Sequence, residues 1–474
     1  MNPTNPTVAR TGSPPHRGLA IRDTADCQSA LQLEGRTRAM SRASLLRALW
    51  LAAATLLTPG ADAAELWTLE RAIGHALTNS PDARIAQQRI AAARAGIDQA
   101  NAAFWPQLQI QSSYTRTDNP MLAFGNILNQ RSFSSSLDFN DVPDVDNLNV
   151  RGLLTMPLYT GGRVKAGRDA ARANTEAARA NAEAVQNALA FEVARAFHTV
   201  LKTREIIRAA EAAVTAFEQH LATASNRVDN GVALRIDVLD FQVKLAQARE
   251  ELVRARNAGI LSQRALRNAL GIETGDLEVA AESPAVPVPA DGDFSRRPEF
   301  RALAQAEQAA AAQVRQMKSG YRPRVNAFGS LDYDHGWVND GDGKSYTAGI
   351  MAQWDLWDGK RTRGRVSEAQ AHLEALREEQ RKLRLAIDFE VEQARRQLSE
   401  ATERLAVTQG AVAQAAESVD LTRARFEQGL VLSTQLIDAQ TALTTARVRR
   451  AEAEADQRIA IAALRKALGL PQLP

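Results

Sequence analysis

The sequence predicts a mixed α and β membrane protein in which short strand pairs feed very long helices, and in which that arrangement occurs twice. Three observations carry this prediction. The stretch MPLYTGGR, residues 156–163, ends an alternating, aromatic-tipped segment and runs through two glycines into about seventy Ala-rich residues without a proline. Nearly the same phrase recurs as QWDLWDGKR, 353–361. The apolar positions of the two long stretches that follow fall in strict sevens, which marks coiled-coil packing.

The chain begins with two unlike segments. Residues 1–39 are polar, Pro-bearing and aperiodic and are expected to be an upstream mis-start, with Met40 the true initiator. Residues 40–63 form a signal-peptide pattern: Arg42 and Arg47 make the basic region, ALWLAAATLL the apolar region, and Ala61-Asp62-Ala63 the small-x-small cleavage site, so that the mature chain begins at Ala64. The apolar run is too short to anchor in a bilayer. The only cysteine, Cys27, precedes that site, which leaves the mature chain without a disulfide, a thiolate metal site or a lipidated N-terminal Cys. Residues 1–63 hold seven Lys/Arg and four Asp/Glu, so they carry the whole formal charge of +3, and the remainder is neutral. No basic field is left to attract nucleic acid.

The mature chain divides into two repeats, 64–275 and 295–474, joined by a Pro-rich linker at 276–294. Pro81 matches Pro298 and Pro106 matches Pro323, both at an offset of 217. Leu158 then matches Leu356, RVDNGVALRIDVLDFQ (227–242) matches RFEQGLVLSTQLIDAQ (425–440), and RALRNALGI (264–272) matches AALRKALGL (462–470), all at 198. The change of 19 residues falls between the two strand-like segments of each half.

Each half reads helix, strand, loop, strand, very long helix, turn, helix. In the first half a helix at 82–104 stops before Pro106. Residues 107–116 alternate, with Leu108, Ile110 and Tyr114 opposite Gln109, Gln111 and Thr115; residues 149–158 do the same. The second half supplies strands at 324–333 and 346–356. Period-two segments of about ten residues have the length of a membrane-crossing strand. Leu154 and Ile350 are expected on the lipid face, and Thr155 and Met351 on the opposite one. The polar segment 118–147 is a loop. Long helices follow at 162–229 and 360–427, each roughly 100 Å long, with shorter helices at 234–270 and 432–468 returning alongside them. The heptad positions are Val200, Ile207, Val214 and Leu221 in one, and Leu398, Leu405, Val412 and Val419 in the other.

Four strands cannot close a barrel, and open edges are untenable in lipid. Two chains would give eight strands, with a filled interior, and three would give twelve, wide enough for a water-filled pore. No apolar run of the mature chain is long enough to span as a helix.

The two-fold repeat, the joints PLYTGGR and DLWDGKR, and the paired turns RVDNGVALRIDVLDFQ and RFEQGLVLSTQLIDAQ together resemble the TolC-like outer-membrane efflux channels over about residues 66–472. The resemblance implies a homotrimer with a twelve-stranded β-barrel set in outer-membrane lipid and a long periplasmic α-helical tunnel. It also implies a passive exit duct of a tripartite efflux or type I secretion system, joined to an inner-membrane transporter through a periplasmic adaptor. A periplasmic coiled-coil adaptor or scaffold is the alternative. One hairpin in β-rich domains would distinguish an adaptor from the two strand-flanked hairpins here.

No catalytic constellation is present and no cofactor is expected. His75, His198, His220, His335 and His372 are scattered without partners at ligand spacing. GDGK at 341–344 lacks the spacing of a phosphate loop, and Asp138, Asp141, Asp144 and Asp146 read as a solvated loop rather than a calcium site. The functional candidates lie at the helix turns. Gly231 and Gly429 sit where the chain reverses. The resemblance implies an acidic pore gate at the second-half turn. Asp438 keeps the acidic position and Gln435 replaces one, with Asp237 and Asp240 at the equivalent first-half turn. Phe426 and Val431 stand where the resemblance implies tyrosine and arginine. Adaptor docking is expected on the exposed tips, Gly231, Val232 and Ala233 with Gly429, Leu430 and Val431.

Overall fold

The structure, a computed structural model, describes residues 66–473 apart from 139, 276, 282–285 and 290–291. The readings of residues 1–39 and 40–63, including Met40, Cys27 and cleavage before Ala64, lie outside the described residues. The elements run α1 (Leu69–Asn79), α2 (Pro81–Ala102), β1 (Gln107–Thr117), α3 (Pro120–Asn129), β2 (Val145–Tyr159), α4 (Arg163–Asp229), α5 (Arg235–Leu270), α6 (Pro298–Lys318), β3 (Arg324–Gly336), β4 (Gly341–Gln353), α7 (Arg361–Glu427) and α8 (Ser433–Ala467).

The helices match their expected bounds closely because their stop signals are chemical. Ser80 ends α1, accepts a 3.2 Å hydrogen bond from the Ala83 amide, and places Pro81 at the first position of α2. Helix α1 itself escapes the sequence reading. Its stripe Leu69, Ala72, Ile73 and Ala76 is buried, but the helix is short and runs into the next one with only Ser80 between. The long helices start at left-handed joints: Gly161 and Gly162 at φ +64° and +91°, Gly359 and Lys360 at +67° and +70°. A Cβ on Gly161 would sit 2.9 Å from the Arg322 Cβ and 3.0 Å from the Ser319 carbonyl, so the joint requires glycine on steric as well as torsional grounds. Asp358 closes the second joint by accepting from the Thr362 amide at 2.8 Å.

The four strands form one antiparallel sheet in the order β1-β2-β3-β4, so the two hairpins of the repeat pair through β2 and β3. Strand registers align the side chains into two faces. Leu108, Ile110, Leu154, Leu331, Tyr346 and Ile350 share one face, and Ile110 and Tyr346 are 78% and 79% exposed in the single chain. Gln109, Gln111, Asn149, Arg151, Thr155, Asn326, Asp332 and Met351 share the other. On this polar face the Arg151 guanidinium pairs with Asp332, and Asn147 donates to Asp334 at 2.7 Å. An aqueous face that is hydrogen-bonded and an apolar face left bare is the reverse of a soluble sheet packed on a core.

Three expectations about the strands need correction. Strand β2 begins at Val145, because the pairing Thr117↔Val145 carries the ladder four residues beyond the predicted start. Strand β4 spans Gly341–Gln353 rather than 346–356. It begins early because Gly336 pairs with Gly341 across a short turn, and it stops early because the ladder ends where Arg324, the first residue of β3, pairs with Gln353. The segment 118–147 is not all loop: Asn119 accepts from the Met121 and Leu122 amides and starts α3.

The helices pack side by side as a layer. Helix α4 packs against α1, α2, α5, α6 and α8, while α7 packs along its length against α6 and α8 and meets α4 and α5 at the turn, through Arg227 and Phe241 on Phe426. The layer therefore has two unlike edges, α2 with α5 on one side and α7 on the other. The sheet has the corresponding edges, β1 and β4. One core joins Phe197, Val193, Leu266 and Leu270 to Ile73 and to Val279 of the linker. Part of that linker is fixed: Trp67 donates to the Glu278 carbonyl at 2.8 Å and Ala280 donates back to Trp67 at 3.0 Å. Among the described residues no helix is long and apolar enough to cross a membrane.

Candidate gate and docking surface at the helix turns

The two helix turns lie at the far end of the hairpins from the sheet and close in the same way. Gly231 and Gly429 take φ +73° and +78°. Gly231 donates to the Val228 carbonyl and Val232 to the Arg227 carbonyl; Gly429 donates to Phe426 and Leu430 to Arg425, all four at 2.9 Å. This left-handed C-terminal motif satisfies the last carbonyls of each long helix and turns the chain into the returning helix.

The apolar tips divide. Val232 and Leu430 are exposed, as expected, but Ala233 and Val431 are half-buried, and Val431 packs on the cluster of Phe217, Phe241, Phe426, Leu436 and Ile437. Leu234 and Leu432, which the sequence reading passes over, are 71% and 67% exposed. They precede the first residues of α5 and α8, where a hydrophobic residue is not expected in water.

The acidic residues divide as well. Asp237 accepts from the Leu234 amide at 3.1 Å and so caps its own helix, and Asp240, half-buried, accepts from the Ser433 hydroxyl at 3.5 Å. Both first-half carboxylates have structural partners. Asp438 and Gln435, at the equivalent second-half positions, are exposed on the first turns of α8. Asp438 has no ion pair within the chain among the described residues.

A residue that the sequence reading misses joins the two turns. Arg227 donates to the Phe426 carbonyl at 2.8 Å and to that of Glu427 at 2.5 Å, and its guanidinium lies over the Phe426 ring at 5.3 Å. The repeat offers Arg227 and Arg425 at matching positions. Among the described residues only the first crosses, and its partner turn holds the aromatic Phe426 where its own holds Val228. Cation–π and charge-assisted hydrogen bonds then act together.

Two of the histidines serve packing. His198 and His220 are buried in α4, against Phe197 and between Phe217 and Phe241. Burial, with Arg458 nearby, pushes His198 down to about 4. Burial also lowers His220, against a hydrogen bond that its ring N–H donates to Gln440. The loop aspartates have local partners: Asp144 pairs with Arg116 at 2.7 Å and Asp146 accepts from the Val338 amide at 2.8 Å. Among the described residues no group of three or more His, Cys, Asp or Glu side chains is placed to hold a metal ion.

A family model described as "Outer membrane efflux protein" matches residues 72–272 and 294–470. The chain is 27% identical over 196 residues to the solvent efflux pump outer membrane protein SrpC of Pseudomonas putida, and equally to the toluene efflux pump outer membrane protein TtgI of the same species. Each match spans 41% of this chain and 38% of the relative. Among solved structures, the outer-membrane channel OprN superposes with a TM-score of 0.72 at 20% identity, covering 86% of this chain and 91% of that one. The outer membrane protein VceC of Vibrio cholerae gives 0.71 at 19%, covering 85% and 96%. The open-state MtrE channel of Neisseria gonorrhoeae gives 0.67 at 17%, covering 85% and 89%.

Proposed function

The chain belongs to the outer membrane efflux protein family, and from that premise we propose that it is the exit duct of a tripartite efflux or type I secretion system. Membership carries the fold class with it: a trimeric barrel of twelve strands, four per chain, continued by a long α-helical coiled-coil barrel. It carries the location too, the outer membrane with the helices in the periplasm. In this reading the duct conducts passively, and an inner-membrane transporter delivers cargo through a periplasmic adaptor seated on the helix turns.

The observation that supports this most is the pair of unlike edges. Strand β1 and helices α2 and α5 form one edge, β4 and α7 the other, so each chain is a sector that closes only head to tail with further copies. Exposed apolar residues on α7, among them Leu385, Phe389 and Val407, and on α5, among them Val243, Val253 and Ile260, await such neighbours. The apolar sheet face meets lipid and the polar face lines the lumen. At the far end, three copies of Asp438 ring the axis and narrow the duct, while Val232, Leu234, Leu430 and Leu432 form the docking rim.

Deletion of the gene should abolish export by its cognate transporter, and expression of the chain should restore it, with the protein in the outer-membrane fraction as a heat-modifiable trimer. A monomer recovered in the soluble periplasm would overturn the proposal in favour of an adaptor or scaffold.

A further inference from the structure

The segment between β1 and β2 does not stand away from the barrel. It folds over the polar face of the sheet at the end farthest from the helices. Helix α3 buries Ala123 and Ile127 against Val145, whose position in the register is on the polar face. Gln130, 1% exposed, follows the helix and donates to the Asp146 carbonyl at 2.6 Å and to Asn147 Oδ1 at 3.0 Å. Arg131, at φ +56°, reaches across to donate to the Lys344 carbonyl at 3.3 Å.

Three glycines admit this crossing, and all three share the polar face. A Cβ at Gly336 would overlap the Gln130 side chain; at Gly341 it would meet the Gln130 carbonyl and the Ser132 hydroxyl; at Gly343 it would overlap the Asn129 carbonyl. The Gly-Asp-Gly of 341–343 therefore has a use that phosphate binding does not supply. It is a bare strip of strand on which a neighbouring segment rests. The outward side of α3 carries Met121, Leu122 and Leu128, which are 78%, 60% and 46% exposed. An apolar cluster on the water side of a polar sheet face is costly unless something covers it.

We propose that α3 is an inward-folded lid at the outer mouth of the barrel, and that its Met121, Leu122 and Leu128 are covered by the same helix of the other two copies. The inference rests on the reading of the polar face as the lumen of a trimer. Three copies of a segment held on the inner wall face one another across the mouth, and each brings the exposed Met121, Leu122 and Leu128 to that meeting. The lid leaves solutes of modest size a path but narrows the mouth for large ones.

No cysteine follows Cys27 in the sequence, so single cysteines in the described residues report cleanly. Thr347→Cys places a thiol on the polar face below the lid. A small membrane-impermeant maleimide added to intact cells should label it, which tests the lumen itself. A bulky polyethylene-glycol maleimide should label it slowly in the otherwise native chain. Replacing Pro120–Asn129 by a Gly-Ser linker of equal length should make that labelling roughly tenfold faster, the effect of removing ~1.4 kcal/mol of barrier. Gly343→Val, which suits a strand but not the seated lid, should do the same. If Gly343→Val fails to assemble as a heat-modifiable trimer, the linker variant carries the test. Leu122→Cys should form disulfide-linked dimers between copies under oxidation. Fast bulky labelling already in the native lid, or no acceleration on replacing it, overturns the proposal. Failure of the small reagent as well would overturn the lumen reading instead.

Discussion

The two long helices have the same length and the same heptad register, yet 22 residues of α4 are buried in the single chain against 8 of α7. The two turns differ in the same direction: Asp237 and Asp240 have partners within the chain, whereas Gln435 and Asp438 face out. Duplication gave both halves one set of lengths, glycine joints and turn hydrogen bonds. Place in the layer then decides what each copy does. Helix α4 of the first half lies inside the sector and holds it together, whereas its counterpart α7 lies at an edge.

That contrast can be broken by core truncation. Phe241 is fully buried at the meeting of the turns, and Phe241→Ala should cost about 3–5 kcal/mol. Phe389→Ala, on the exposed side of α7, should leave the chain folded and weaken only the trimer. Thermal unfolding of the subunit and heat dissociation of the trimer separate the two. Acid should act through the first half. His198 is neutral when folded because burial holds it near 4, while the unfolded chain protonates around its ordinary value. Its contribution is therefore fully present above about pH 6.5 and is lost as pH falls toward 4, roughly 3 kcal/mol in all. His198→Gln should flatten the fall in unfolding midpoint across that window, and an unchanged profile would remove His198 from the account.

The sheet faces give the next largest effect. Leu154→Arg should lower assembly by about 2–4 kcal/mol if it sits near mid-bilayer, and Thr155→Arg on the polar face should not. Equal yields of trimer in the outer membrane would contradict the assignment of faces. Smaller again is the clasp. Arg227→Ala should cost about 1.5–3 kcal/mol, seen as earlier proteolysis of the turns, while Arg425→Ala should stay within about 0.5 kcal/mol.

Much of this was legible because the signals are local. The joints at 162 and 360, the turns at Gly231 and Gly429 and the returning helices are written in glycine positions and in sevens, and alternation placed Leu154 and Ile350 on one face. What was missed depends on contacts distant in sequence. Helix α3 and the early start of β4 escaped the sequence reading because Gly341 and Gly343 gain their purpose from contact with a segment some two hundred residues earlier. Arg227 was invisible because its acceptors lie in the other repeat. Val431 read as an exposed tip because its burial is supplied by Phe217 and Phe241 of the first half.

The most direct test of the division between halves is ion conduction in planar bilayers. Asp438 and Asp240 occupy equivalent positions of the repeat, so the pair is an internal control. If the second-half turn lines the axis, Asp438→Ala should lower cation selectivity and weaken block by trivalent cations, since a ring of crowded carboxylates favours cations. Gln435→Asp should strengthen that block, and Asp240→Ala should leave both unchanged. Loss of selectivity and block in Asp240→Ala, with Asp438→Ala behaving as the native channel, would put the first half at the axis and contradict the account.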